Sequence, residues 1–305
     1  MMAQRNPDPP PFMRGLRGRL LVDEPMSRHT SWRVGGAADY FYTPADKADL
    51  LQLLARLPGD LPLCWVGLGS NLLVRDGGVA GMVVRTSQGL RALRFSAAGR
   101  GYVEAGVSCA KVARTAAAGG LTGVEFLAGV PGSFGGALAM NAGAFGGETW
   151  DWVETVECVN RAGQCRMVRA AEIPVGYRRV DLPDDGWLLS AEIVLQPGGP
   201  GGGRQRIRSL LEKRNATQPV QSASAGSVFR NPPGGHAAKL IEQSGLKGAR
   251  IGDAVISETH ANFIVNAGSA TAADIERLID LVKRRVKART GVELIPEVRI
   301  IGRPA

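Results

Sequence analysis

The sequence lacks any long apolar run: no stretch approaches the ~20 apolar residues that a membrane-spanning helix requires. Residues 1–12 are rich in Pro and polar groups, and they lack the apolar segment and cleavage site of a secretory signal. We therefore expect a soluble, cytoplasmic protein with no membrane association. Residues 1–14 are expected to form a disordered tail.

Cysteine is scarce, with four residues in a chain of 305. No two of them have the spacing of a zinc knuckle, and the three histidines are scattered without acids or cysteines at helical spacing. The sequence therefore predicts no metal site and reduced, mostly buried thiols. The four residues are Cys64, Cys109, Cys158 and Cys165.

Aromatic residues are also few, at 6%, and no basic run is interleaved with them. A net charge of +9 favours anionic ligands, yet the arginines are dispersed along the chain rather than clustered. We therefore expect no binding to nucleic acid, and we expect a small anionic ligand to use the charge locally. Most individual arginines are interpreted as solvated surface residues.

The chain length and a hydrophobic content of 44% predict two or three domains of mixed α+β type. A strand at 38–42, a helix capped at Thr43 and reaching about Leu57, and a strand at 63–66 form a β-α-β unit within residues 15–85. A second α+β region follows at 86–198, with a helix capped by Ser108. A Gly-rich linker at 199–206 precedes a C-terminal domain at 207–305, where Thr271 caps the last helix.

Two glycine-rich segments, 67–73 and 129–136, are candidates for binding phosphate. Backbone amides reach a phosphate where no side chain intervenes, and a glycine loop that leads into a helix also directs the positive end of the helix at the anion. Neither segment has the Lys-Ser/Thr ending of a P-loop or the Gly-x-Gly-x-x-Gly spacing of a Rossmann fold. Gly-rich turns are common, so either segment alone is weak evidence for phosphate binding. No Gly-x-Ser-x-Gly nucleophile elbow occurs where a strand meets a helix.

Six motifs occur in the order found in one enzyme family. They are Arg33-Val34-Gly35-Gly36, the segment 67–73, the segment 129–136 with 140–144, Gly176-Tyr177-Arg178, the segment 225–232, and 295–299. Together they resemble the signature of the MurB family, the UDP-N-acetylenolpyruvoylglucosamine reductases. The resemblance covers nearly all of the chain from His29 to Gly302.

The resemblance implies an FAD-binding fold of the vanillyl-alcohol-oxidase/p-cresol-methylhydroxylase type over 15–85 and 86–198, followed by an α+β substrate domain. No His or Cys in the glycine segments is positioned to tether the flavin, so noncovalent FAD is expected. The implied cofactor-binding residues are Gly67, Gly69, Ser70, Asn71, Leu72, Gly129, Pro131, Gly132, Ser133, Gly135, Gly136, Asn141 and Gly143.

The resemblance implies that NADPH is the co-substrate and that the enolpyruvyl ether of a UDP-sugar is reduced to UDP-N-acetylmuramate. Such an ether accepts hydride only when charge that develops at its carboxylate is stabilised. Arg178 matches the family's catalytic arginine, Glu297 its acidic partner and Ser227 its proton donor. Without the motifs, Ser227 is an ordinary turn residue, Glu297 is solvent-facing, and Arg179 rivals Arg178 for its role.

The implied substrate-binding residues are Tyr177, Arg214 and Asn262. Some family members have, at the position of Thr217, a lysine that contacts the nucleotide. This sequence lacks that lysine, and we suggest that Arg214 supplies the missing charge. It also lacks an insertion carrying a substrate-covering tyrosine, which places the resemblance with the shorter type II subclass. We expect a monomer. Two other hypotheses are a different flavoenzyme on the same scaffold and a basic binding protein without catalysis.

Overall fold

The structure is a computed structural model that describes residues 10–183, 186–199 and 201–305. The chain divides into two compact units. Unit 1 contains the described parts of residues 1–24, 38–67 and 81–207, and unit 2 contains 25–37, 68–80 and 208–305. Each unit is therefore built from segments that are far apart in the sequence.

Six α-helices occur in the described residues. They are α1 (Lys47–Arg56), α2 (Cys109–Ala118), α3 (Phe134–Ala139), α4 (Gly202–Thr217), α5 (Ala237–Gln243) and α6 (Ala272–Thr290). The predicted strand-helix-strand succession near residues 38–66 is present. The remaining helical turns are short 3-10 helices.

The strands are mostly short. In chain order they are β1 (Arg19–Pro25), β2 (Ala37–Thr43), β3 (Leu63–Val66), β4 (Leu72–Val74), β5 (Val79–Arg85), β6 (Leu93–Phe95), β7 (Arg100–Glu104), β8 (Leu121–Thr122), β9 (Gly143–Ala144), β10 (Gly147–Glu148), β11 (Val153–Val159), β12 (Cys165–Arg169), β13 (Val175–Gly176), β14 (Arg179–Val180), β15 (Trp187–Val194), β16 (Gln196–Pro197), β17 (Ala223–Ser224), β18 (Arg250–Ile251), β19 (Ala254–Ile256), β20 (Ile264–Asn266) and β21 (Arg299–Ile301).

Unit 1 contains two main sheets. The first has the strand order β1-β2-β5-β3, in which β3 and β5 run parallel, and the second has the order β12-β11-β15-β7-β6. A buried core joins α1 to strands of both sheets through Leu50, Leu53, Met82, Val159 and Leu189. In β5 the residues 81–84 are all buried, and in β15 the residues 188–191 are all buried, as expected for strand segments that are covered on both faces.

Unit 2 is held by a core around α6. Residues Ile275, Leu278, Ile279, Val282 and Val286 repeat at helical spacing and are all buried. A small antiparallel sheet in the order β17-β20-β19-β18 contributes to the same unit, and β21 pairs in parallel with β4. The core therefore fixes the segments that flank Ser227 and Glu297.

The helix ends follow local capping chemistry, with one correction. Thr271 and Asp274 form the predicted capping box of α6, and Ser108 caps α2 by accepting from the amide of Lys111. The predicted cap of α1 at Thr43 is wrong, because Asp46 is the residue that accepts from the amide of Asp49. Aspartate accepts this bond readily, so the helix begins three residues later than predicted.

The predicted segment boundaries differ from the two units. Residues 202–206 form the first part of α4 and are not a linker. The backbone hydrogen bonds of the helix include these residues although glycine has a low helix propensity. Residues Pro11–Met13 form a short helical turn with Met13 buried in unit 1, so this part of the predicted tail is packed. Residues 1–9, 184–185 and 200 lie outside the described residues. The functional assignment of the predicted domains stays a prediction.

None of the four cysteines is in a disulfide. Cys109 and Cys158 are buried, whereas Cys64 is partly buried and Cys165 is exposed, so the thiols are less uniformly buried than predicted. Burial raises the pKa of the Cys109 thiol to about 12, which makes it unreactive at neutral pH. Among the described helices, none has both the length and the apolar character to cross a membrane.

Asp49 is a fully buried carboxylate that joins three segments of unit 1. One oxygen accepts from the amide of Arg17 at 2.7 Å, and the other accepts from the Tyr42 hydroxyl at 2.5 Å and the Ala45 amide at 3.0 Å. Burial alone would raise the pKa of Asp49, but the hydrogen bonds from Tyr42, Ala45 and Arg17 outweigh it and lower the pKa. The charged form is therefore the stable one in the folded protein.

We expect Asp49→Asn to destabilise the protein by about 3 kcal/mol, because an amide NH2 then faces buried donors. Since the folded pKa is depressed, the stabilisation by the carboxylate is present above its unfolded pKa of about 3.9 and is lost as the pH falls through the folded value. Urea unfolding at several pH values measures both effects.

The exposed Asp60 provides a matched control. Asp60→Asn should change the unfolding free energy by less than about 0.5 kcal/mol at neutral pH. Equal stabilities of the two variants at neutral pH would contradict the importance of Asp49.

Candidate functional site

The segment 129–136 leads into the short helix α3, and Ser133 caps that helix by accepting from the amide of Gly136. The amides of Phe134 and Gly135 donate to the carbonyls of Val107 and Ala105. These three amides are therefore used by the protein itself. The amides of Gly132 and Ser133, in contrast, have no acceptor in the part of the chain that the structure describes. Only a small part of this segment is thus available to a phosphate.

Several glycines of the two segments leave no room for a side chain. A Cβ on Gly67 would lie 2.1 Å from the Ser133 hydroxyl oxygen, and a Cβ on Gly135 would lie 2.6 Å from the Cβ of Ala105. Gly132 also has a φ of +135°, which side chains rarely adopt. Gly129 is buried, whereas Pro131 and Gly136 are exposed. Gly67 therefore packs directly against Ser133, and Gly135 packs against Ala105, with no room for a side chain at either glycine.

The remaining predicted cofactor residues of the segment 67–73 lie in unit 2. Gly69 has a φ of +66°, and a Cβ there would lie 1.8 Å from the carbonyl oxygen of His29. Ser70 is partly buried, and the Asn71 side chain donates to the Glu297 carbonyl at 3.1 Å. Leu72 begins β4, opposite Arg299 of β21. Asn71 thus connects this segment to the strand that follows Glu297.

Asn141 organises the surroundings of Arg178 in unit 1. Its side chain is almost fully buried, donates to Glu148 at 2.8 Å and to the Gly176 carbonyl at 3.3 Å, and accepts from the Trp150 amide at 3.2 Å. Its φ of +45° is one that asparagine tolerates better than most residues. The sequence motif identified Asn141, but not these partners.

Arg178 lies at the tip of a hairpin formed by β13 and β14. Its guanidinium donates to the carbonyls of Asn141 at 3.0 Å and Gly143 at 2.9 Å, and it lies 5.0 Å from the centre of the Tyr177 ring. Arg178 has a φ of +56°, which is strained for a long side chain. The structure thus brings Arg178 together with Asn141, Gly143 and Tyr177.

Arg179 differs from Arg178 in exposure and in partner. It is exposed and forms a salt bridge of 2.8 Å with Asp181, which raises the pKa of its guanidinium. Its side chain is therefore directed to a surface acid, while that of Arg178 is held by two backbone carbonyls. The two neighbouring arginines therefore differ in their partners, and the choice of Arg178 as the catalytic arginine stays a prediction.

Ser227 and Glu297 come together within unit 2. Phe229 and Pro296 form an isolated antiparallel bridge, and the Glu297 amide donates to the Val228 carbonyl at 2.7 Å. Ser227 follows Gly226, which has a φ of +76°. Two residues that are separated by 70 positions therefore lie on neighbouring backbone segments, while Arg178 belongs to unit 1.

Asn262 holds the backbone of the Ser227 segment. Its side chain accepts from the amide of Phe229 at 2.9 Å and donates to the carbonyl of Phe229 at 2.8 Å, and its own carbonyl accepts from the Val228 amide. Asn262 is 4% exposed. Both ends of its amide are occupied by Phe229, so this geometry supports a role in positioning Ser227. The predicted contact with substrate stays a prediction.

Arg214 lies near the end of α4 and is half-buried without a carboxylate partner among the described residues. Its Nε donates to Gln218 at 3.2 Å, and burial lowers the pKa of the guanidinium. The Thr217 hydroxyl donates back to the carbonyl of Lys213 at 2.9 Å. A partly desolvated cation is suited to an anionic ligand, whereas Thr217 satisfies its own helix.

Glu148 was not identified from the sequence. It accepts from Asn141 and forms a capping box with Asp151 at the start of a 3-10 helix. The three-residue spacing of Glu148 and Asp151 is a sequence pattern for the start of a helix. It does not predict the hydrogen bond between Glu148 and Asn141.

Models of two protein families match the chain. The FAD binding domain matches residues 38–169, and the C-terminal domain of UDP-N-acetylenolpyruvoylglucosamine reductase matches residues 218–301. The first range contains Gly67, Ser133 and Asn141, and the second contains Ser227 and Glu297. The match of the first range confirms the predicted FAD-binding fold, while the predicted domain boundaries stay a prediction.

The chain is also similar to reductases along almost its whole length. UDP-N-acetylenolpyruvoylglucosamine reductase of Alkalilimnicola ehrlichii is 54% identical over 285 residues, which cover 93% of this chain and 95% of the relative. The protein of the same name from Methylococcus capsulatus is 55% identical, with 94% of each chain covered.

A crystal structure of UDP-N-acetylenolpyruvylglucosamine reductase (MurB) from Thermus caldophilus superimposes with a TM-score of 0.79. It is 34% identical in sequence, and the match covers 93% of this chain and 98% of that one. The predicted α+β fold class is thereby confirmed, with an FAD-binding fold of the vanillyl-alcohol-oxidase type.

We expect Asn262→Ala to cost about 2–3 kcal/mol of stability, because the backbone amide and carbonyl of Phe229 both lose a buried partner. Chemical unfolding measures this loss. Asn215→Ala, at an exposed position of α4, is the control and should be within about 0.5 kcal/mol of the parent. If Asn262→Ala were as stable as the control, the result would contradict the role of Asn262 in holding the backbone next to Ser227.

Proposed function

The chain belongs to the UDP-N-acetylenolpyruvoylglucosamine reductase family, and we infer from this premise that it is an FAD-dependent oxidoreductase of peptidoglycan precursor synthesis. It reduces the enolpyruvyl ether of UDP-N-acetylglucosamine to UDP-N-acetylmuramate. The proposed site rests on one observation in a chain of this family: the backbone segments that contain Ser227 and Glu297 lie side by side, bonded through Val228 and bridged at Phe229 and Pro296.

The residues around Ser133 fit a phosphate-bearing cofactor. The amides of Gly132 and Ser133 have no acceptor among the described residues, and Gly67 and Gly132 present no side chain that would block an approach. We propose that these residues, together with Asn141 and Gly143, hold FAD without a covalent bond. When bound and reduced by NADPH, FAD would supply the hydride that adds to the double bond of the substrate.

Arg178 is proposed to bind the substrate carboxylate. Hydride addition to one carbon of the double bond leaves negative charge on the other carbon, and that charge extends into the carboxylate. A planar guanidinium offers a carboxylate two parallel hydrogen bonds. The carbonyls of Asn141 and Gly143 fix the orientation of the guanidinium before substrate binds, so little reorganisation is required.

Ser227 is proposed to donate the proton that completes the reduction. The proton from its hydroxyl oxygen goes to the carbon that carries the negative charge, and hydride plus proton together reduce one double bond. A serine is a weak acid, so the transfer depends on a basic acceptor and on fixed neighbours. We propose that Glu297, on the adjacent backbone segment, assists by hydrogen bonding to the reacting group or by proton delivery.

Arg214 and Tyr177 are proposed as further substrate-binding residues. Arg214 is a half-buried cation without a carboxylate partner in the described part of the chain, which suits the anionic nucleotide. It would take the place of the lysine that is absent at Thr217. Tyr177 is 47% exposed beside Arg178, so its ring is accessible to a ligand.

We further propose that NADPH is the reductant and that the protein is a cytoplasmic monomer that binds neither nucleic acid nor membranes. The absence of disulfides among four cysteines supports a reducing compartment. The dispersed arginines, many of them in surface salt bridges such as Arg208 with Glu212, argue against a nucleic-acid surface.

The function is tested on the purified protein. We expect a bound flavin spectrum and NADPH oxidation that requires the enolpyruvyl nucleotide. Oxidation of NADPH at the same rate with and without that nucleotide would contradict the proposed function, and a colourless protein that cannot be loaded with FAD would contradict the cofactor.

We expect Ser227→Ala to slow flavin reoxidation by the substrate roughly 10²–10⁴-fold, because the proton donor is removed. Flavin reduction by NADPH should be nearly unchanged, since it does not use that proton. Rapid-mixing absorbance measurements separate the two half-reactions. Ser224→Ala, in β17, is the matched control and should leave both near the parent rates. Equal losses in both half-reactions would make Ser227 structural.

We expect Arg178→Lys to reduce the rate of substrate reduction at least about 100-fold, because lysine cannot form the two-point contact with a carboxylate. Arg179→Lys should be close to the parent, since Arg179 is exposed and paired with Asp181. Steady-state kinetics and rapid mixing measure both variants. The reverse pattern would transfer the role to Arg179.

A further inference from the structure

Glu148 contacts both residues whose carbonyls hold the guanidinium of Arg178. Its carboxylate accepts from the side-chain amide of Asn141 at 2.8 Å, and its backbone pairs with Gly143 in the β9–β10 hairpin. The Arg178 guanidinium donates to the Asn141 carbonyl at 3.0 Å and to the Gly143 carbonyl at 2.9 Å. One residue of β10 is therefore connected to both groups that orient the arginine.

The side chains of Glu148 and Arg178 also flank the same glycine. A Cβ placed on Gly143 would lie 3.1 Å from the Cγ of Glu148 and 3.4 Å from a terminal nitrogen of Arg178. Closely packed groups transmit small displacements to one another, because little free volume is left between them. A shift of Glu148 is therefore expected to reach the guanidinium through Gly143 as well as through Asn141.

The bond to Glu148 fixes the direction of the Asn141 amide. The same amide nitrogen donates to the Gly176 carbonyl at 3.3 Å, two residues before Arg178, and the amide oxygen accepts from the Trp150 backbone at 3.2 Å. Asn141 is 2% exposed. A hydrogen bond to a carboxylate is stronger than one between neutral groups. Among these bonds, the one to Glu148 is therefore expected to contribute most to the orientation of Asn141.

Capping of the 3-10 helix at Thr149–Trp152 is the structural alternative for Glu148. The Glu148 amide donates to the Asp151 carboxylate at 3.0 Å, and the two residues form a capping box. A capping box involves only the residues of its own turn, whereas Asn141 lies seven residues before Glu148. Capping therefore does not account for the bond between Glu148 and Asn141.

We propose that Glu148 is a positioning residue, which orients the Arg178 guanidinium toward the substrate carboxylate through Asn141 and Gly143. The inference rests on the proposed function of Arg178. A guanidinium and a carboxylate form two parallel hydrogen bonds only when their planes are aligned, so a tilt of the guanidinium loses one of them. The role does not require Glu148 itself to touch substrate or cofactor. Its effect is confined to the step in which charge develops at the substrate carboxylate.

The first test compares variants of Glu148 by rapid mixing at saturating FAD. Glu148→Ala should slow flavin reoxidation by the enolpyruvyl nucleotide roughly 10- to 100-fold and leave flavin reduction by NADPH within about twofold. Glu148→Gln keeps an acceptor oxygen at the same reach and should stay within about fivefold of the parent. Glu148→Asp keeps the charge but is one methylene shorter, so it should resemble Glu148→Ala. If Glu148→Ala does not fold, the comparison of Glu148→Gln with Glu148→Asp decides the same question.

The second test combines Glu148→Ala with Arg178→Lys. In the Arg178→Lys protein, Glu148→Ala should slow flavin reoxidation further by less than about twofold, because the two-point contact is already absent. Asp151→Ala is the matched control, since it removes the capping box from its other end and leaves the carboxylate of Glu148 in place. It should keep both half-reactions within about twofold of the parent.

Equal losses in Asp151→Ala and Glu148→Ala would assign the effect to the helix cap and overturn the inference. Glu148→Gln as slow as Glu148→Ala would also overturn it. A full effect of Glu148→Ala in an impaired Arg178→Lys protein would show that Glu148 acts independently of Arg178, which overturns the inference and leaves the proposed function intact. Near-parent turnover of Arg178→Lys would instead contradict the proposed role of Arg178, and the inference with it.

Discussion

The surroundings of Arg178 in unit 1 depend on the side chain of Asn141. A single buried amide connects Glu148, the Trp150 backbone and the Gly176 carbonyl, and the Asn141 carbonyl itself accepts from Arg178. Because these groups lie on three separate segments, around residues 141, 148–150 and 176–178, no local rule would hold them together. Loss of the amide would leave buried polar groups unsatisfied on several segments at once, so the constraint is collective.

This constraint explains how the chain tolerates strain beside the proposed site. Phe145 and Arg178 both have positive φ values, and each lies in a two-residue hairpin loop. Short hairpins retain such conformations only when the residues at their base are fixed by other bonds. The bonds of Asn141 to Gly176 and of Arg178 to Gly143 supply that fixation, so the strain is confined to the two tips.

Those parts of the fold that follow local rules could be predicted from the sequence. Thr271 and Asp274 are three residues apart, and the buried stripe of α6 has helical spacing, so its start and its inner face were predicted correctly. The assignment of 25–37 and 68–80 to the C-terminal unit was not predicted, because it depends on contacts between distant segments. The strain at Phe145 was also invisible, since φ at a hairpin tip follows from strand register rather than from residue type.

The candidate site shows the same division between motif and geometry. The family motifs selected Ser227, Glu297 and Asn262, but only the structure shows that Asn262 holds Phe229 through both ends of its amide. A weak acid such as serine transfers a proton effectively only from a fixed position. Val228 accepts from Glu297 on one side and donates to Asn262 on the other, so the residue next to Ser227 is restrained twice. If Ser227 is the proton donor that we propose, the restrained backbone around it compensates by position for the weak acidity of its hydroxyl.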